Sequence, residues 1–249
     1  PHLASSAASD VYKRQICVMK GVILDFDTIG PDDLDTSILL SLPISWQIYG
    51  NTSFNEVNER IKYADVVLTN KVELSNENIK QAANLKLIGL FATGTNIIDL
   101  EAASDKNICV SNAVAYCTDS VVQHVWALIL ALTTRIFDYS QAATDGRWER
   151  SNSFCVMDYS VKELAGKTLG VVGAGELGRA VASVGLAFGM NVKFALFPER
   201  HSFTHDNRLE FKALLQQSDI VSLHCPLTKD NVNLIDKKEL KLMKSTAIL

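Results

Sequence analysis

Lys167-Thr-Leu-Gly-Val-Val-Gly-Ala-Gly-Glu-Leu-Gly178 runs an apolar strand into a glycine turn and then into the helix-spaced stretch Leu177 to Phe188. The turn fits G-x-G-x-x-G. Glycines cluster by chance, so the pattern alone says little, but a strand before it and an amphipathic helix after it make it a dinucleotide-binding signal. Gly173 permits the tight turn, Gly175 lets backbone approach a diphosphate, and Gly178 permits close helix packing. The helix N-terminus adds free N–H groups and partial positive charge.

The same fingerprint expects an acid about 20 residues further on, where it would hold a ribose 2′-hydroxyl. That place falls at Leu196, which accepts no hydrogen bond; Glu199 and Arg200 follow. Arg200 is suited to a 2′-phosphate and Glu199 to a hydroxyl, so the cofactor reads as NAD or NADP, with the choice open. His224-Cys-Pro-Leu-Thr228 follows the strand Asp219–Leu223. Ligands of open α/β sheets bind beyond the carboxyl ends of strands, so this loop should border the cofactor. His224 itself reads as a strand-end cap rather than a catalyst.

Strands alternate with helices on both sides of the glycine turn. After it come strand Asn191–Phe197, helix Leu209–Leu215, strand Asp219–Leu223, helix Lys237–Met243 and strand Thr246–Leu249. Before it, strands are expected at Val22–Leu24, Trp46–Tyr49, Asp65–Thr69, Leu85–Leu90 and Ile108–Val110. Helices are expected near Leu34 and over Phe54–Tyr63, Glu77–Ala83 and Asp99–Ser104. Such alternation implies βαβ units and parallel sheets. Ser120–Arg135 is apolar nearly all round, which predicts a helix buried on most faces, between domains or in a subunit interface. Thr118 and Ser120 compete as its N-cap, and His124 reads as a packed side chain.

The chain has 249 residues and a formal charge of −4, which gives no electrostatic reason for a nucleic-acid or anionic-membrane partner. The longest apolar run, Val125–Leu132, is far short of the ~20 residues of a bilayer span. Cys17, Cys109, Cys117, Cys155 and Cys225 form no CxxC pair and no metal-ligand spacing, so reduced thiols in a cytoplasm are expected. Residues 1–18 read as a non-native or disordered leader: Asp10–Gln15 resembles translated cloning adapter, and Met19-Lys20 resembles an ordinary start. Ser245–Leu249 reads as a strand entering a core, which suggests a piece of a longer protein.

Several motifs, in one order, resemble the D-isomer-specific 2-hydroxyacid dehydrogenases, particularly the glycerate dehydrogenase (hydroxypyruvate reductase) branch. They are Leu68-Thr-Asn-Lys-Val72, Ala92-Thr-Gly-Thr-Asn96, Asp99-Leu-Glu-Ala-Ala103, Asn112-Ala-Val-Ala-Tyr116 and Ser120-Val-Val-Gln-His124, then Gly146-Arg-Trp148, Glu163–Gly170, the glycine turn, Ala187-Phe-Gly-Met190 and His224–Thr228. The resemblance implies an α/β protein of two domains with the active site between them. A flavodoxin-like substrate domain would span 19–115, and an incomplete Rossmann dinucleotide-binding domain 116–249. It places Asn70, Lys71, Thr93, Gly94 and Thr95 at a small 2-oxo or 2-hydroxy acid, with Thr93 also near the nicotinamide. Gly173, Gly175, Glu176, Leu177, Gly178, Cys225 and Pro226 would face the cofactor. The resemblance also implies a homodimer. The family's proton-donating histidine, carboxylate-clamping arginine and assisting glutamate would follow the motif represented by Met243–Leu249, so no catalytic residue is assigned within the chain, and the chain as given is expected to be inactive. The alternative is a dinucleotide-sensing binding protein on the same fold, like the co-repressors related to the family.

Overall fold

The computed structural model describes residues 19–196 and 207–249. The chain divides between Val114 and Ala115 into two compact units. The leader 1–18, and Phe197, Glu199 and Arg200 with them, lie outside the described residues.

The first unit is built on β1 (Met19–Ile23), β2 (Ile44–Ile48), β3 (Val66–Thr69), β4 (Leu87–Leu90) and β5 (Cys109–Asn112), in the all-parallel order β2-β1-β3-β4-β5. This is the flavodoxin-like arrangement, whose strand order reverses between β1 and β3. Short helices connect the strands: α1 (Ser37–Leu40), α2 (Val57–Ile61), α3 (Asn76–Gln81) and α4 (Leu100–Asp105). Their starts follow local chemistry. The Ser75 hydroxyl accepts from Asn78 N–H, and the Asp99 carboxylate accepts from Ala102 N–H, each satisfying an otherwise orphaned helix donor. Val57 and Ile61, one helical turn apart, are wholly buried and join Leu24, Val67, Leu74, Ile79 and Ile88 in the core. The helix expected near Leu34 begins later, at Ser37. Pro31–Asp33 forms only a 3₁₀ turn that Leu34 leaves in an extended conformation.

The second unit opens with α5 (Thr118–Thr134) and α6 (Ile136–Thr144). Its sheet has β6 (Thr168–Val172), β7 (Asn191–Leu196), β8 (Arg208–Glu210) and β9 (Ile220–Leu223) in the parallel order β8-β7-β6-β9, with helices α7 (Glu176–Ala187), α8 (Phe211–Gln217) and α9 (Lys237–Leu242). This is the Rossmann order through its first four strands. Where a strand Thr246–Leu249 is expected, Ile248 makes a single parallel bridge to Ile220.

Two expectations for this unit need correction. Arg208–Glu210 pairs with Phe194–Leu196 as an edge strand, so the helix expected from Leu209 starts at Phe211. The N-cap of α5 is Cys117, neither Thr118 nor Ser120; the Ser120 hydroxyl donates back to the Cys117 carbonyl. Within the chain, α5 buries one face. Trp126, Ile129 and Thr133 point inward, whereas Leu128 and Leu132 are 52% and 57% exposed. Arg135, in the left-handed region at φ 57°, ends α5 and turns the chain by 62° into α6, a helix with no expectation in the sequence.

Candidate functional site

β6 ends at Val172, and Gly173 turns the chain at φ +107°, a conformation that L side chains rarely adopt. Space makes the same demand. A Cβ on Gly173 would lie 2.5 Å from the His224 carbonyl oxygen and 2.8 Å from Cys225 N. The end of β9 is held there by His224 N–H donating to the Val172 carbonyl at 2.7 Å. Gly178 is required by the turn itself: a Cβ would fall 1.9 Å from the Gly173 carbonyl oxygen, closer than its 3.2 Å to Val171 on the strand. The first turn of α7 thus rests directly on the glycine loop.

Gly175 behaves differently. It is the N-cap of α7, extended at φ −74° and ψ −167°, and a Cβ there would meet nothing within 4 Å. The N–H groups of Glu176, Leu177 and Gly178 lie in the first helical turn, where no intrahelical acceptor exists, at the positive end of a 12-residue helix. Backbone donors, positive potential and open room meet at one place. These residues fit the diphosphate of a dinucleotide.

Cys225, followed in the chain by Pro226, lies beside this turn, brought there by the β6–β9 pairing. Asn231 fixes their loop: its Nδ2 donates to the Pro226 carbonyl at 2.7 Å, and its Oδ1 accepts from Thr228 N–H at 2.7 Å. Sequence reading missed Asn231, although Thr228-x-x-Asn231 is spaced as a capping box. The His224 ring shares a hydrogen bond of 2.8 Å between Nε2 and the Ser222 hydroxyl. Burial pushes its pKa below the ordinary imidazole value. Glu176 is exposed, and its carboxylate accepts from the Thr118 hydroxyl at 2.5 Å. Leu196 ends β7 as described, in the place expected for an acid.

In the first unit, Asn70 and Lys71 form the turn after β3, and Thr93, Gly94 and Thr95 the turn after β4. Both turns leave the carboxyl edge of the sheet on neighbouring strands. Asp25, at the end of β1 and missed by sequence reading, is 2% exposed. Its carboxylate accepts from Asn70 N–H at 2.9 and 3.1 Å and from Lys71 N–H at 2.6 Å. The Asn70 amide donates to the Thr28 carbonyl at 3.1 Å. Lys71 therefore stands on a clamped backbone, at the wall of an open cleft of about 390 Å³ that also includes Asn51, Thr52 and Phe54. The second turn is held by Asn112, whose Nδ2 donates to the Thr93 carbonyl at 2.7 Å. Thr93 and Gly94 are exposed. Among the described residues, no single helix is long and apolar enough to cross a membrane.

Comparison with known proteins bears on what this arrangement serves. Residues 126–249 match the family model described as D-isomer specific 2-hydroxyacid dehydrogenase, NAD binding domain. The chain is 37% identical over 221 residues to a glycerate dehydrogenase of Methylorubrum extorquens, covering 88% of this chain and 68% of that protein. It is 34% identical over 236 residues to a hydroxypyruvate reductase of Blautia hydrogenotrophica, covering 93% and 73%. Among solved structures, a D-lactate dehydrogenase from Aquifex aeolicus complexed with NAD and lactic acid superposes with a TM-score of 0.74 at 28% identity, over 92% of this chain and 67% of that one. The matched segment contains the whole glycine turn and the sheet that carries it, and the relatives extend the likeness through the first unit; the chain belongs to the D-isomer-specific 2-hydroxyacid dehydrogenase family, whose members are nicotinamide-dependent oxidoreductases.

Proposed function

We propose that the chain serves the interconversion of a small 2-oxo acid, hydroxypyruvate or glyoxylate, and its D-2-hydroxy acid. The supporting observation is the β6–α7 turn: glycine is forced at 173 and 178 by protein atoms, whereas at 175 the space is open. The bound nicotinamide dinucleotide supplies or accepts the hydride. The chain's own residues bind and orient. N–H groups of Glu176, Leu177 and Gly178 hold the diphosphate, and Cys225 and Pro226 border the cofactor. The Thr93–Thr95 turn offers backbone donors to the substrate carboxylate, with Asn70 beside it and Lys71 adding the positive charge that draws an organic acid in. The relatives named glycerate dehydrogenase and hydroxypyruvate reductase support this substrate class.

The test is Gly175→Val. A Cβ at 175 meets no protein atom within 4 Å, so the cost to the fold should be no more than the ~1 kcal/mol of a poor N-cap residue, a fall in melting temperature of about 2–4 °C. NADH and NADPH affinity, measured by calorimetric titration, should fall at least about tenfold. Unchanged affinity would remove the diphosphate from this turn. The two wild-type titrations decide which nucleotide is preferred. Hydroxypyruvate and glyoxylate titrated into protein saturated with oxidised cofactor read the substrate class, and Lys71→Ala should weaken that binding.

The homodimer and the cytoplasmic setting are part of the same proposal. Leu128, Leu132, Ile136 and Phe137 leave an exposed apolar face along α5 and α6, suited to a second copy of the chain. Leu132→Asp should shift the mass measured by light scattering from dimer to monomer.

A further inference from the structure

Glu176 sets an electrostatic problem at the glycine turn. It is the first residue of α7, so its carboxylate is attracted by the same N-terminal donors and positive dipole end that a diphosphate would use. A carboxylate settled there would compete with the phosphates and repel them. In the structure it is held elsewhere: Oε1 accepts from the Thr118 hydroxyl at 2.5 Å.

Thr118 is well placed to hold it. It is the first residue of α5, and its hydroxyl makes no capping bond to its own helix. Its position is set by the packing of α5 along α7. Trp126 Nε1 donates to the Val181 carbonyl at 3.2 Å, and the Trp126 ring stacks on Phe188 with centroids 5.0 Å apart. The small residue Gly185 allows that approach, a Cβ there lying 3.4 Å from the Trp126 ring and 2.8 Å from Leu169. The hydroxyl therefore sits on a rigid mount beside the turn.

We propose that Thr118 is a positioning residue for dinucleotide binding, drawing the Glu176 carboxylate away from the diphosphate cradle at Gly175–Gly178. This rests on the reading of that turn as the diphosphate site. Loss of the hydroxyl frees the carboxylate to fall back onto the helix N-terminus, where it opposes the ligand. The hydroxyl matters only because residue 176 is charged.

The test is a double-mutant cycle of Thr118→Val and Glu176→Gln, read as the NADH dissociation constant at low and high salt. Thr118→Val should weaken binding about tenfold at low salt and by less at high salt, because the repulsion it releases is screened. Glu176→Gln should tighten binding, and adding Thr118→Val to it should cost nothing further. Thr118→Ser, which keeps the hydroxyl, should restore affinity. Weakening by Thr118→Val that persists in the Glu176→Gln background, or that ignores salt, would make Thr118 merely structural and overturn the proposal, as would unchanged affinity. Failure of the wild type to bind NADH at all would overturn the reading of the turn itself, a distinct result.

Discussion

Replacing Asp25 by alanine tests whether one buried carboxylate organises the carboxyl edge of the first sheet. The carboxylate accepts the N–H groups of Asn70 and Lys71, 45 and 46 residues away in sequence, at 2.6–3.1 Å. Hydrogen bonds to a charged acceptor contribute about 1.5–3 kcal/mol each, and a stranded buried donor costs about 1–3 kcal/mol. Two such donors put the loss at about 3–5 kcal/mol. The lower end is favoured, because the Asn70 amide keeps its own bond to the Thr28 carbonyl and removing a buried charge recovers desolvation energy. Asp25→Asn keeps one acceptor and turns an N–H₂ toward a backbone donor, so it should lose about half as much. Hydrogen exchange followed by mass spectrometry is the suitable assay because it reads the two units separately. Protection should fall across residues 19–114 and remain unchanged from 115 onward. A variant within about 1 kcal/mol of wild type, or one whose lost protection is spread evenly over both units, would refute the claim that Asp25 clamps this edge.

Gly178→Ala would place a methyl 1.9 Å from the Gly173 carbonyl oxygen; it should abolish NADH binding and lower stability by about 2 kcal/mol or more, as read by urea titration. Trp126→Ala should destabilise the second unit by about 3–5 kcal/mol, measured the same way, because it removes a buried ring, its stack on Phe188 and its bond to Val181. For His224, burial holds the folded pKa below the ordinary 6.5. As pH falls past that value the unfolded chain takes up the proton first, so its contribution to stability is present above about pH 6.5 and is lost below it. His224→Gln should flatten the corresponding part of a denaturation profile, and an identical slope in the two proteins would contradict this.

Features set by local backbone geometry were legible in the sequence. Gly173, Gly175 and Gly178 stand where a strand must turn into a helix, and the strand and helix alternation exposed both parallel sheets. Features arising from distant partners were not. Nothing near Asp25 in the sequence says that its acceptors will be met by Asn70 and Lys71. Thr118 has the composition of a cap, yet its hydroxyl turns to a residue 58 positions away. The helix beyond Arg135 went unread for another reason: the expected helix stops at Arg135, and a left-handed arginine carries no glycine or proline to mark a turn into a second helix. The strand Arg208–Glu210 is three residues long, below any detectable alternation.

Neither sheet borrows a strand from the other: all five strands of the first come from Met19–Asn112, and the described strands of the second from Thr168–Leu223. Parallel pairing is slow to establish because each contact closes a long loop, yet here the loops between paired strands close within their own unit. Translation at about 5–20 residues per second therefore allows the first unit to fold at the ribosome exit before the glycine turn has been synthesised. A stalled nascent chain that carries residues 19–114 clear of the ribosome should already resist protease across the first sheet.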